Sequence, residues 1–107
     1  MAWITLAIAG VLEVVWAFYL KKSAGFTVPL PSIIAVVTMV ASFFVLSLAM
    51  RSLPLGTAYA VWTGIGTIGA FLLGVTVLGE AVTPLRLGGA VLIVAGLVVM
   101  KLSEGGA

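Results

Sequence analysis

The spacing of the charged residues is the strongest constraint on what this chain can fold into. Two stretches of 28 residues, bounded by Lys22, Arg51 and Glu80, contain no charged side chain. A helix needs about 20 residues to cross a bilayer, so each stretch can hold one crossing. Glu13 is the only charged residue among the first 20, and 14 uncharged residues separate Arg86 from Lys101. The spacing therefore predicts four membrane crossings, the last of them short and extended by basic side chains that reach the interfaces from its ends.

The composition excludes the other classes of protein. Of the 107 residues, 64% are apolar and 7% are charged, whereas a soluble domain is about half apolar and a quarter charged. Disorder needs the opposite balance, and the basic residues form no patch typical of nucleic-acid binding. The chain has no Cys and no His, and no nucleophile motif or phosphate-binding loop, which disfavours an enzyme. We expect no cofactor and no metal site.

Proline and glycine punctuation predicts the ends of the helices. The predicted helices span about 3–20, 32–50, 57–78 and 84–100, within a single four-helix transmembrane domain over residues 1–107. Thr83 followed by Pro84 predicts a helix that begins with an N-cap and proline in its first turn. The fold class is therefore an all-α membrane protein.

The basic residues hardly favour one orientation of the chain in the membrane over the other. Four crossings place Arg51 and Lys101 on one side of the membrane, and Lys21, Lys22 and Arg86 on the other. Orientation follows the Lys/Arg bias of short loops, and here the difference is a single residue. Either the chain inserts in both orientations and pairs as an antiparallel dimer, or it takes one slightly biased topology. An antiparallel pair has the inverted symmetry that many transporters build within one chain.

Glu13 is the strongest functional signal, because it lies near the centre of the first predicted helix. An ionisable residue at this depth is costly and marks an ion or proton pathway by default. No Lys or Arg lies at the same depth to pair with it. Trp16, at i+3, offers an aromatic face suited to a cation, and Gly10, one turn earlier, leaves room beside the carboxylate. The alternative is a protonated Glu13 that only supports helix packing.

The third helix presents a matching face. Tyr59, Trp62 and Thr63 fall at i, i+3 and i+4 and so share one stripe of the helix. Such aromatics commonly serve packing, but a buried Trp62 indole needs an acceptor, and Glu13 is the only carboxylate at that depth. Ser42 on the second helix is a further candidate, although membrane hydroxyls often bond back to their own helix.

Small residues mark a different surface on the fourth helix. Gly89 and Gly96 lie seven residues apart, beside Gly88 and Ala95. Small residues let membrane helices approach closely. The strip carries no charge, which favours an assembly surface over a binding site.

The sequence as a whole resembles the small multidrug resistance transporters. The resemblance is carried by residues 10–17 (GVLEVVWA), 20–26 (LKKSAGF) and 49–66 (AMRSLPLGTAYAVWTGIG), and by the seven-residue glycine spacing of the fourth helix. Trp16 after Glu13, and Met50-Arg51 before the turn, resemble the guanidinium-exporting branch of that family.

The resemblance implies an antiparallel, dual-topology homodimer in the bacterial inner membrane that exchanges protons for a small cation. By resemblance, Glu13 is the shared proton and substrate carboxylate, Ser42 and Trp62 hydrogen-bond and orient it, and Trp16 and Tyr59 wall the pocket. The room beside Gly10 adds that glycine to the predicted binding residues. The resemblance further implies a conformational hinge at Gly64 and Gly66, and dimerisation through Gly89 and Gly96.

These features leave three functions open. The first is a proton-coupled antiporter that exports guanidinium and small substituted guanidines, with protons and cation competing for paired Glu13 carboxylates. The second is a broader exporter of quaternary ammonium and hydrophobic cations, in which Trp16 would narrow the pocket unfavourably. The third is a dual-topology channel or a helper subunit, for which an unpaired central Glu13 has no evident use.

Overall fold

The structure is a computed structural model that describes the backbone of residues 1–105 and the side chains of residues 1–103. It contains four helices: α1 (Ala2–Lys22), α2 (Pro29–Ala49), α3 (Leu55–Thr76) and α4 (Pro84–Gly105). Each is long and apolar enough to cross a membrane. The described residues contain no strand, so the predicted all-α fold with four transmembrane helices is confirmed.

The helix ends differ from the predicted ones by a few residues. Helix α2 begins at Pro29 instead of Ser32, because proline is tolerated in the first helical turn, where its missing N–H has no partner to lose. Helix α3 begins two residues earlier than predicted and ends at Thr76. The predicted N-cap of α4 is confirmed by the backbone N–H of Arg86, which donates to Oγ1 of Thr83 at 3.1 Å.

The helices form a flat layer that extends 46 × 35 × 16 Å. Helix α1 packs against both α2 and α3, and the backbone of α4 lies beside α3 alone. The core is the meeting of the first three helices, where Leu6, Ala9, Leu46, Ala58 and Trp62 are buried. The described part of α4 contains no buried residue. The first three helices therefore position the candidate site.

Candidate functional site

Glu13 lies midway along α1, on the side that faces α3. Its carboxylate rests directly on Gly66 of α3, where a β-carbon would overlap it. Gly10, one turn earlier on α1, is covered in the same way by the side chain of Ile65. The α1–α3 contact is thus close because glycines remove side chains at the levels where the carboxylate and its neighbouring turn lie.

One oxygen of the Glu13 carboxylate lacks a partner among the described residues. This atom, Oε1, is buried. All five basic side chains are exposed and belong to the helix ends and loops. Buried polar groups are normally hydrogen-bonded, so an unpaired one calls for an explanation, such as a bound ion or ligand that supplies the hydrogen bond. Glu13 is the principal residue of the candidate site.

A short chain of hydrogen bonds joins the three core helices beside Glu13. Nε1 of Trp62 on α3 donates to Oγ of Ser42 on α2 at 2.9 Å, and the Ser42 hydroxyl donates to the carbonyl oxygen of Ala9 on α1 at 2.8 Å. Ser42 is fully buried and Trp62 is 5% exposed. The Ala9 carbonyl precedes Glu13 by four residues, the position whose oxygen receives the Glu13 backbone N–H in an α-helix.

This arrangement corrects one expectation from the sequence. We expected Trp62 and Ser42 to hydrogen-bond the Glu13 carboxylate, but Trp62 donates to Ser42 and Ser42 donates to the backbone of α1. The cause is that the hydroxyl lies closer to the indole and to a backbone carbonyl, which is itself a strong acceptor. Ser42 nevertheless differs from Thr38, whose hydroxyl bonds back to the carbonyl of Ile34 in its own helix.

Aromatic rings surround the Trp62 end of this chain. The Tyr59 ring lies 5.4 Å from the Trp62 ring, and Phe43 of α2 meets Trp62 edge-on at 5.7 Å. Tyr59 is 53% exposed, so it covers the edge of the cluster. The structure therefore brings Ser42, Tyr59 and Trp62 together, and ties them to Glu13 through the backbone of α1.

Two further polar atoms are buried without a partner among the described residues. They are Nε1 of Trp16, one turn from Glu13, and Oγ1 of Thr63, which follows Trp62 directly. Sequence reasoning named Trp16 as a pocket wall and did not choose Thr63 as a site residue. It also missed Phe43. Thr63 could have been chosen, because its i+4 spacing from Tyr59 places it on the same face of the helix. Phe43 could not, because no periodicity in the sequence separates it from its lipid-facing neighbours.

The predicted hinge glycines are packing positions in this conformation. Helix α3 is continuous from Leu55 to Thr76. Gly64 is covered by the side chain of Leu97 on α4, and Gly66 by Glu13. A hinge at these positions stays a prediction, since a single conformation contains no record of bending.

The predicted dimerisation strip is uncovered within the chain. A β-carbon placed at Gly88, Gly89 or Gly96 would meet no atom within 4 Å. The strip therefore has room for another backbone, although its use in assembly stays a prediction. No cluster of three potential metal ligands occurs among the described residues.

Four apolar crossings, with a glutamate midway along the first that has one buried carboxylate oxygen, define the class of protein. It is a small multi-pass membrane protein with an ionisable site at mid-membrane depth. A family model described as Small Multidrug Resistance protein matches residues 1–94. The chain belongs to the small multidrug resistance family.

Similar proteins from bacteria carry a more specific name. The chain is 57% identical over 103 residues to a protein of Citrobacter freundii named Guanidinium exporter, and the alignment covers 96% of this chain and 98% of that one. Identity and coverage are the same for a protein of that name from Salmonella typhimurium. For the Guanidinium exporter of Escherichia coli (strain K12), identity is 54% over the same shares. With its four spans, the chain is a multi-pass protein of the bacterial inner membrane.

Proposed function

We propose that this protein exports guanidinium in exchange for protons, and that Glu13 binds both. The observation that carries the proposal is the Glu13 carboxylate at the centre of α1, whose Oε1 atom is buried and has no partner among the described residues. The names of its relatives support guanidinium as the cargo. A transport role also agrees with a chain that is almost entirely membrane-crossing helix.

Guanidinium suits this site chemically. It is planar, stays charged at neutral pH and carries N–H donors that match a carboxylate in bidentate geometry. The free Oε1 of Glu13 is an unused acceptor. Trp16, one turn away, and the Trp62–Tyr59 pair add aromatic faces, which attract cations.

Proton coupling follows from competition for one group. A carboxylate in a dry site is stable when protonated or when paired with a cation, and costly when it is neither. The protein therefore reorients when loaded with a proton or with guanidinium. Protons entering down their gradient then displace the cation outward. One acidic group per chain at this depth is sufficient for the exchange.

We further propose that two chains of opposite orientation form the working unit. The two sides of the chain carry nearly equal numbers of basic residues, and α4 is unburied with an open glycine strip. Pairing through that strip brings two copies of Glu13 into one assembly. Two close carboxylates do not both ionise readily, so the pair takes up protons and cation as a coupled unit.

Uptake by reconstituted protein tests the function directly. Liposomes with an acidic interior should accumulate labelled guanidinium from outside, because outward proton flow drives the exchange. Glu13→Gln keeps the size of the side chain but cannot ionise, so uptake should fall to that of empty liposomes, while Glu13→Asp should retain transport. Accumulation by Glu13→Gln would contradict the carboxylate scheme. Faster uptake of a quaternary ammonium ion than of guanidinium would favour the broader multidrug exporter.

The pH dependence of binding tests the competition separately. Lowering the pH protonates Glu13 and removes the charge that holds the cation, so guanidinium binding should weaken as the pH falls from about 9 to about 5. For one competing proton the apparent Kd rises by up to about tenfold per pH unit. Titration of tryptophan fluorescence at each pH, without a membrane gradient, measures this. An affinity independent of pH would show that protons and cation do not share the group.

A further inference from the structure

A second carboxylate rests on the same ridge of α3 as Glu13. Gly74 is covered by the carboxylate of Glu80, just as Gly66 is covered by that of Glu13. Gly66, Ala70 and Gly74 follow each other at i, i+4 and i+8 along one ridge of the helix. The two glycines are separated by about 12 Å along the axis, at 1.5 Å per residue. One carboxylate thus lies at mid-membrane depth, and the other lies near the loop end of α3.

The α3–α4 loop holds Glu80 over the end of α3. The Glu80 backbone N–H donates to the carbonyl oxygen of Gly74 at 2.8 Å, and Gly79 turns the chain back with a φ of +72°. Such a positive φ is open to glycine and strained for most other residues. The position of the Glu80 carboxylate is therefore set by the backbone and does not depend on the side chain alone.

A guanidinium group already lies at this carboxylate, in the side chain of Arg86. Its Nη2 atom is 3.6 Å from Oε1 of Glu80, and Nη1 donates to the carbonyl oxygen of Ala81 at 2.5 Å. The same guanidinium lies over the ring of Phe71, 5.4 Å from its centroid. A carboxylate, a carbonyl oxygen and an aromatic face together are the three kinds of group that recognise a planar cation.

A cleft connects this end of the molecule with the α1–α3 contact. It has a volume of about 370 Å³ and is lined, among others, by Ala17, Ala70, Gly74, Glu80 and Arg86. Ala17 is one turn beyond Glu13 on α1, so the cleft reaches from the loop to the turn of α1 that adjoins Glu13.

The ion pair in this cleft is open to exchange. The side chains of Arg86 and Glu80 are 42% and 40% exposed, and exposed ion pairs hold together weakly. Lys21 lines the same cleft, and its positive charge further weakens the hold on any cation. A site on a transport path must bind weakly enough to release its ion.

We propose that Glu80, Phe71 and the Ala81 carbonyl form a second, outer site for guanidinium, which Arg86 occupies until the cargo displaces it. The site collects the cation at the membrane surface and stages it for Glu13 along the cleft. This inference rests on the proposed function for the identity of the cargo. The position of the site follows from the contacts of Arg86.

Carboxyl-carbon NMR of glutamate-labelled protein tests the site directly. The chain has three acidic residues, Glu13, Glu80 and Glu104, so Glu13→Gln leaves two signals, and Glu80→Gln assigns them. Millimolar guanidinium chloride should shift the Glu80 signal saturably in the Glu13→Gln protein and leave Glu104 as the internal control. Sodium and tetramethylammonium, which have no N–H donors, should not reproduce the shift at equal ionic strength.

Arg86→Gln supplies the matched variant. Removing the resident guanidinium should tighten the binding of free guanidinium at Glu80 by about two- to fivefold, the range that an exposed ion pair contributes. In proteoliposomes with Glu13 intact, Glu80→Gln should raise the KM for guanidinium. It should change kcat less, because the exchange of protons and cation at Glu13 does not involve Glu80.

Three results would overturn the outer site. They are a Glu80 signal that responds to guanidinium no more than Glu104, an equal response to sodium, and a Glu80→Gln protein with an unchanged KM. Uptake by the unsubstituted protein separates this from the proposed function. Absence of guanidinium uptake overturns both, whereas normal uptake with a silent Glu80 signal overturns the outer site alone.

Discussion

At the residue scale, Gly66 determines whether Glu13 can occupy its place. A β-carbon at position 66 would overlap the Glu13 carboxylate, so Gly66→Ala should displace that group from the α1–α3 contact. We expect guanidinium uptake to fall by about fivefold or more, given the roughly 1–3 kcal/mol that overpacking typically costs. Gly56→Ala is the matched control on the same helix, because a β-carbon there meets nothing within 4 Å. Uptake in proteoliposomes at equal protein density measures both, and equal activities would show that the contact does not position the carboxylate.

Ser42 has a structural role that its neighbour Thr38 lacks. Ser42→Ala removes the acceptor of the Trp62 indole and the donor to the Ala9 carbonyl. The Ala9 oxygen keeps its backbone hydrogen bond within α1, but the buried indole N–H is left unpaired. The loss should lower the free energy of unfolding by about 1–3 kcal/mol. In Thr38→Val only a bond within α2 is lost, so stability should change little. Thermal unfolding in detergent compares the two. If they unfold alike, the three-helix hydrogen-bond chain does not stabilise the core.

The residues of the site differ in how far the sequence could predict them. Glu13 was predictable because an isolated acidic residue in an apolar stretch fixes both its depth and its cost. The partner of Trp62 was not, because a sequence gives the depth of a side chain but not its rotation toward one of two neighbouring helices. By depth alone, either Glu13 or Ser42 could accept the hydrogen bond of the Trp62 indole. The packing of α2 against α1 places Ser42 there.

At the scale of single elements, the four spans were predictable and their ends were less so. The length of an uncharged stretch is enough to predict a membrane crossing. The start of α2, in contrast, depends on whether Pro29 and Pro31 lie inside the helix or precede it. The structure places both inside it. The role of the glycines in α3 was also ambiguous, since glycine serves bending and close packing alike. Their contacts with Leu97 and Glu13 identify close packing in this conformation.

Helix α4 is the element whose role depends most on a second chain. Gly96→Leu fills the open strip, so it should lower the fraction of dimers while the four-helix fold is retained. Val98→Leu is a suitable control, because Val98 lies half a turn around the helix and is 53% exposed. Single-molecule photobleaching in liposomes, over a range of protein densities, measures the dimer fraction. Equal dimer fractions for the two variants would show that the chains associate through another surface.

At the scale of the whole molecule, the chain forms only part of a bundle. Its thickness of 16 Å is about one and a half helix diameters, so most side chains of α4 and many of α2 point away from the protein. In a bilayer such faces are stable against lipid, and their apolar character alone does not demand a partner. The argument for a second chain rests instead on the near balance of charge across the membrane and on the open glycine strip of α4.

That balance makes the topology adjustable by single substitutions. Arg51 and Lys101 on one side oppose Lys21, Lys22 and Arg86 on the other, and the side with more Lys and Arg stays in the cytoplasm. Arg51→Gln leaves one basic residue against three, which should place the α2–α3 turn outside. Lys21→Gln with Lys22→Gln leaves two against one, which should place the same turn inside.

A cysteine reporter reads these orientations without interference, because the chain has no cysteine of its own. Ser52→Cys lies exposed in the α2–α3 turn. In intact cells an impermeant thiol reagent should label about half of the otherwise unsubstituted chains, most chains with Arg51→Gln, and few with the two lysines replaced. Each biased chain alone should transport poorly, because it lacks a partner of opposite orientation, and co-expression of the two should restore uptake. Full labelling of the unsubstituted chain, or full activity of either biased chain alone, would contradict an antiparallel working unit.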